Sequence, residues 1–313
     1  MHILALVPGG IGNQILFFPT LDTLKQAYPD ASIDVIAEPS TLGIYRIYPQ
    51  VRRAIPFDFN DRNSLADWSN LLGMIREQEY EMVFSAQPGW SIGLLLWLSG
   101  VPIRIGYAES GNSFLTATVA DQPDQYQAHR YHRLTAGLGI TSPCPPISLR
   151  VPRKDIEWAE AEQRRLGAIE SGYLLIYPQD GDETYPVQSW QILVQKLREL
   201  QPNLPVFVVQ TSNGQEIVSQ LNQLGVTCGA VRPEQIGQLV ALLAGANVVV
   251  CPEGDTLQLA VAVQTVTIAL FGRGKPEKLL PPAQSHQFIA IQSSSDKLHD
   301  ITPQKILETI LGS

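Results

Sequence analysis

His2-Ile3-Leu4-Ala5-Leu6-Val7 runs directly into Pro8-Gly9-Gly10-Ile11-Gly12-Asn13, and the reading of this junction decides the fold. The first stretch is a short apolar run with the character of a strand buried on both faces. The glycines turn the chain, and Ile15, Leu16, Pro19, Leu21 and Leu24 then recur at roughly helical spacing. Pro19 lies inside that pattern, so a kink or an interruption is expected there. Strand, glycine turn and helix form the opening of an α/β unit.

The alternation continues outward from this point. Ile33–Ala37 and Met82–Ser85 read as further strands, Ser91–Leu98 as a buried helix, and Ile103–Tyr107 as another strand. Residues 142–152 carry four prolines in eleven positions, which suits an extended linker. The domain boundary is placed there, giving an N-terminal domain over 1–150 and a C-terminal domain over 151–313. After the linker the pattern restarts. Helices are expected near Asp155–Leu166, Trp190–Leu200, Glu216–Leu224 and Leu257–Val263, and strands at Leu174–Tyr177, Val206–Val209, Val248–Val250 and Val266–Leu270. Apolar strands alternating with helices call for doubly wound parallel sheets covered on both faces. Two such domains leave a cleft, and ligands of open α/β sheets bind beyond the carboxyl ends of the strands.

Composition narrows the function. The 313 residues carry 30 acidic and 22 basic side chains, a net charge of −8, so general nucleic-acid binding is disfavoured. The mean hydropathy of +0.01 is that of a globular chain, not of a disordered one. Cys144, Cys228 and Cys251 lie far apart and form no CxxC pair, so neither a disulfide framework nor a zinc knuckle is indicated. The start of the chain lacks a basic signal-peptide region. Met82–Ile103 is uncharged and long enough to span a bilayer, but Gln87, Pro88, Gly89 and Pro102 break it up. A cytoplasmic location is therefore expected.

Three loops offer chemistry. Gly9–Asn13 would let a ligand approach the backbone at a helix N-terminus, although a plain tight turn would look the same. Asn13 there would either cap the helix or point into the cleft. Val250-Cys251-Pro252-Glu253-Gly254-Asp255-Thr256-Leu257-Gln258 has the layout of an anion pocket built from backbone N–H groups. Its two carboxylates would repel a diphosphate unless they turn away or meet cations. Tyr177-Pro178-Gln179-Asp180-Gly181-Asp182-Glu183, continuing to Gln188-Ser189-Trp190, is an acidic loop after a strand. His129 and His132 share a helix but have no third partner nearby, so no metal site is expected. No GxSxG, HExxH or Walker motif occurs.

In order along the chain, several segments resemble the heptosyltransferases of glycosyltransferase family 9. These are Gly10-Ile11-Gly12-Asn13, Tyr28-Pro29-Asp30, Asp34-Val35, Tyr80-Glu81-Met82-Val83, Leu98–Val101, Arg104–Tyr107, His129-Arg130-Tyr131 and Leu138-Gly139-Ile140. Ile176-Tyr177-Pro178, Trp190, Leu243-Ala244, Val248–Asp255, Leu259-Ala260 and Ala269–Gly272 continue the resemblance through the second half. It implies a GT-B architecture of two Rossmann-like domains, with the acceptor on the first and a nucleotide-diphosphate sugar on the second. It further implies inverting transfer to a glycan or lipopolysaccharide-type acceptor without a metal. The nucleotide sugar is then a substrate, no separate cofactor is expected, and a glycolipid acceptor or a protein partner would be met at the inner face of a membrane.

The resemblance implies roles for residues as well. Asn13 stands where such enzymes carry the aspartate that serves as base, Gln188 where they carry a phosphate-binding lysine, and Gln258 where they carry a histidine. Gln179, Asp180, Gln188, Glu253, Gly254, Asp255, Thr256 and Gln258 fall on the donor side, and Gly10, Gly12, Gln14 and Glu38 on the acceptor or loop side. An amide takes no proton near neutral pH, so Asn13 would orient an acceptor and Glu38 or Asp180 would replace the base. The loss of three ionisable groups leaves a second reading open, that of a catalytically silent relative serving as scaffold or assembly partner. An epimerase of sugar nucleotides would use the same frame, but the sequence offers it no clear acid–base pair.

Overall fold

The computed structural model describes residues 1–61, 63–108, 112–168, 172–181 and 184–312. The chain divides into two units, Met1–Ile147 and Ser148–Ser313. The first contains β1 (His2–Val7), α1 (Ile11–Ala27), β2 (Ser32–Ala37), β3 (Arg53–Pro56) and α2 (Leu65–Glu77). It continues with β4 (Met82–Ser85), α3 (Trp90–Ser99), β5 (Ile103–Tyr107), β6 (Ala117–Val119) and α4 (Gln127–His132). Its strands pair in parallel in the order β3-β2-β1-β4-β5-β6, with Leu4 of β1 between Asp34 and Val83.

The second unit contains α5 (Arg153–Arg165), β7 (Leu174–Ile176), α6 (Val187–Leu200), β8 (Val206–Val209), α7 (Ser212–Gln223) and β9 (Gly229–Val231). It continues with α8 (Ile236–Gly245), β10 (Val248–Pro252), α9 (Asp255–Ala262), β11 (Thr267–Phe271), α10 (Pro276–Leu279), β12 (Phe288–Gln292) and α11 (Pro303–Leu311). Its sheet order is β12-β11-β10-β7-β8-β9. Counted from its own first strand, this repeats the order of the first unit. Both sheets therefore have the doubly wound Rossmann order, which reverses between β1 and β4 and again between β7 and β10.

The sequence dictates this through burial. The central strands are closed on both faces: Ile3 to Val7, Val249 to Cys251 and Thr267 to Phe271 are all essentially inaccessible. Only apolar or fully paired residues tolerate such positions. Asp34 in β2 is the exception that satisfies the rule. Its carboxylate receives Arg52 Nε at 2.9 Å, Arg52 Nη2 at 2.6 Å and the Tyr80 hydroxyl at 2.7 Å. In the second unit Trp190, 1% exposed, packs edge-on against Tyr185 within the core.

Two sequence expectations change. α1 passes through Pro19 as one helix of 17 residues. The residues from Gln14 to Leu21 are buried, and this packing offsets the one backbone hydrogen bond that a proline removes. The second change is in number. β3, α2, β6, β9, β12, α8, α10 and α11 add to the elements read from hydrophobic pattern alone. No described helix is long and apolar enough to cross a membrane, and Met82–Ile103 forms β4, a turn and α3 before entering β5.

Candidate functional site

Each sheet presents its switch point at the carboxyl ends of its central strands, and the candidate residues gather there. In the first unit, Gly10 is the extended residue before α1, so Asn13 occupies the third helical position and does not cap the helix. Its backbone N–H bonds Gly10 O at 3.0 Å, while its amide folds back over Gly9. Gly9 has φ +93°, and any Cβ there would collide with the Asn13 amide. The position therefore demands glycine.

Gln14 lies inside the protein and not against a ligand. It is fully buried, its Nε2 donates to Val7 O at 2.9 Å and Gly9 O at 3.0 Å, and its Oε1 accepts the Tyr45 hydroxyl at 2.5 Å. It staples the loop to the end of β1, next to the buried Gly12. Glu38 follows β2 and is only 6% exposed. Its Oε1 accepts Phe59 N–H at 3.2 Å and Asn60 Nδ2 at 3.1 Å, and its carboxyl also bonds the Gly9 N–H and the Asp58 side chain. Burial raises its pKa first of all. The Phe59 N–H works against that rise, and the Asp58 charge adds to it. Across the switch point Gln87, just beyond β4, has a buried Oε1 without a hydrogen-bond partner.

The second unit holds a recess at its own strand ends. A cavity of about 370 Å³ opens beyond β10, β11 and β12, lined among others by Gln179, Thr184, Glu253, Arg273, Lys297 and His299. The β10–α9 turn forms one edge. Gly254, with φ +141°, precedes α9, and a Cβ there would stand 3.1 Å from Gln179 Oε1. Glu253 Oε1 accepts Gly272 N–H at 3.0 Å and Gly274 N–H at 3.1 Å, folding the Gly272-Arg273-Gly274 loop around its carboxylate. That arrangement answers the repulsion expected from this side chain, because its charge is directed into two backbone donors.

The structure brings Gln179, Glu253 and Gly254 together, but it assigns other tasks to their neighbours. Asp180 accepts Ser212 N–H and Asn213 N–H, both at 2.8 Å, and so binds the first turn of α7. Burial opposes ionisation of Asp180, yet the Asn213 and Ser212 donors prevail and its pKa is lowered. It is thus a weak base with both oxygens engaged, contrary to its expected role. Gln258 is 2% exposed, with Nε2 donating to Leu279 O at 2.8 Å and Oε1 buried without a partner. Thr256 is buried and bonded to the Tyr177 hydroxyl, and Asp255 is exposed at the first position of α9. Gln188 is exposed at the second position of α6. Asp182 and Glu183 lie outside the described residues. His132 bonds Thr23 Oγ1 at 2.9 Å, and His129 packs edge-on against Tyr126.

Sequence reading missed Arg273, Lys297 and His299. The one local signal was Gly-Arg-Gly immediately after an apolar strand, a place where backbone and cation reach a ligand together.

Comparison with known proteins bears on the family and the fold. The profile of glycosyltransferase family 9 (heptosyltransferase) matches residues 68–310. The photosynthetic NDH subunit of subcomplex B 1 from Arabidopsis thaliana chloroplasts is 24% identical over 342 aligned positions, covering 98% of this chain and 73% of that protein. Lipopolysaccharide heptosyltransferase 2 of Salmonella typhimurium is 23% identical, over 99% of this chain and 97% of its own. Among solved structures, E. coli ADP-heptose lps heptosyltransferase II superposes with a TM-score of 0.78 at 22% identity, covering 100% of this chain and 98% of that one. The fold is therefore that of the expected GT-B architecture, with two Rossmann-like units.

Proposed function

The chain belongs to glycosyltransferase family 9, and from that premise we propose that it transfers a sugar from a nucleotide-diphosphate donor to a glycan or glycolipid acceptor, with inversion. The observation that carries this reading is the second unit's cavity, which combines cations with carboxylate and amide side chains at the carboxyl ends of the strands of a Rossmann sheet. A related E. coli heptosyltransferase is described with ADP and another structure of it with ADP-2-deoxy-2-fluoro heptose, which favours an ADP-sugar as the donor to try first.

The acceptor binds the first unit at the Gly9–Asn13 loop. Its hydroxyl oxygen attacks the anomeric carbon, the bond from that carbon to the phosphate oxygen breaks, and the nucleoside diphosphate departs. Asn13 orients the hydroxyl through its amide. Glu38, bonded to the Gly9 N–H, accepts the proton, and burial, which raises its pKa, makes it a stronger base than a carboxylate in water. The test is a melting series with ADP-, UDP- and GDP-sugars, since a ligand that binds only the folded state raises Tm. A donor is expected to give a dose-dependent rise. If no nucleotide sugar shifts Tm, the reading fails.

A second reading, a catalytically silent subunit, is favoured by a specific observation. The outer face of α3 presents Trp90 at 60% exposure, Trp97 at 53% and Leu98 at 40%, a concentration of apolar surface that monomeric proteins avoid. Asn13, Gln188 and Gln258 all lack charge, and the Arabidopsis relative aligned with nearly the whole chain is named as a subunit. Stoichiometric co-purification with a partner, lost on Trp97→Ser, supports this reading. Nucleotide-sugar turnover by the isolated chain excludes it.

A further inference from the structure

Resting on the donor reading above, we propose that the donor's phosphate charge is met by Arg273 and Lys297, on the β11–β12 side of the second unit's cavity. Gln188, at the head of α6, does not meet it. Gln188 is exposed, and its amide brings no charge to a diphosphate. The cavity nevertheless has two permanent cations in its lining, delivered by separate loops. Arg273 stands between two glycines whose N–H groups are both held by Glu253 Oε1. A Cβ at Gly274 would run into the Glu253 carboxyl, so the loop closes this tightly around the carboxylate only with glycine there.

Lys297 follows β12, and its carbonyl accepts the Ser293 hydroxyl at 2.7 Å and Asp300 N–H at 3.2 Å. Both cations thus rise from backbone pinned by side chains, which limits the entropy lost when a ligand binds. An arginine fork engages two phosphate oxygens, and a lysine adds a point charge. Asp296 lines the same wall. A carboxylate there suits the hydroxyl donors of a ribose or sugar and opposes a bare polyanion. The ligand class recognised is therefore a diphosphate carrying polyol groups. When the bond to the anomeric carbon breaks, negative charge grows on the departing phosphate, and Arg273 and Lys297 stabilise it where it develops.

The test is calorimetric titration of the whole chain with pyrophosphate, ADP, UDP, adenosine and uridine at low and high salt. Arg273→Gln and Lys297→Gln are each expected to weaken diphosphate binding by about tenfold or more, with nucleoside binding unchanged. Lys297→Arg should retain binding, and wild-type affinity for diphosphates should fall as salt rises. Melting curves of each variant establish that it is folded. If the two glutamine variants bind ADP and UDP like wild type, the assignment of the phosphate charge is overturned and the donor reading stands. If pyrophosphate binds through Arg273 and Lys297 but no nucleotide does, the phosphate site stands and the donor reading falls. If neither pyrophosphate nor any nucleotide binds, both fall.

Discussion

Glu38 holds its proton more tightly than a carboxyl in water, because it is buried beneath the Gly9 N–H and lies beside Asp58. Its folded pKa lies above the ordinary value of 4.5, so the folded state binds more protons than the unfolded one in the window above 4.5. The stability linked to Glu38 is then fully present below that value and lost as pH rises through the folded pKa. Glu38→Gln keeps an acceptor for Phe59 and Asn60 and gives Asp58 a donor. The Tm of the variant minus that of wild type should therefore increase between acid and neutral pH, read by circular dichroism melts. A difference that stays flat with pH would show that Glu38 titrates like an exposed carboxyl. At this scale the sequence was legible where residues are contiguous. Gly9–Asn13 and Glu253-Gly254 lie on single turns, whereas Arg273 and Lys297 meet only because two loops leave neighbouring strands. The commitment of Asp180 to α7 was equally invisible, since Ser212 and Asn213 reach it across the β7–β8 pair.

Among the elements, β1, β10 and β11 were plain in the sequence because strands buried on both faces admit little but apolar residues. β3 was not, because Arg53-Ala54-Ile55-Pro56 has one fully buried side chain and finishes on a proline. α2 was hidden for a similar reason, with only Leu71 and Ile75 buried among its thirteen residues. Tryptophan marks the contrast between two helices. Trp190 of α6 is enclosed in the core, so Trp190→Ala should cost about 3–5 kcal/mol in urea unfolding. Trp90 of α3 faces outward, so Trp90→Ser should cost about 1 kcal/mol or less. Equal losses would mean that the outer face of α3 is packed in solution.

For the molecule as a whole, each unit carries its own sheet and core, and the residues proposed to hold the donor all lie in the second. Hydrogen exchange with a bound nucleoside diphosphate should therefore show new protection at the start of α9, at 272–274 and after β12. The amides of β2 and β3 should keep their free rates. Protection centred on Gly9–Asn13 instead would move the donor to the first unit. The two domains could be anticipated from strand-and-helix alternation because the same order is used twice, but the strand order itself depends on contacts that no local pattern encodes.

The sheets also end in a particular way. Their outermost strands are β3, β6, β9 and β12, of which β6 and β9 have three residues each and β3 has four, the last of them Pro56. Only β12, with five, approaches ordinary length. Open backbone donors and acceptors on the three shorter rims are too few to template cross-β stacking with another copy, so the folded chain is guarded against amyloid-like growth at those edges. Away from β12, self-association at high concentration has to proceed through side chains, and the exposed tryptophans of α3 offer a place for it to begin.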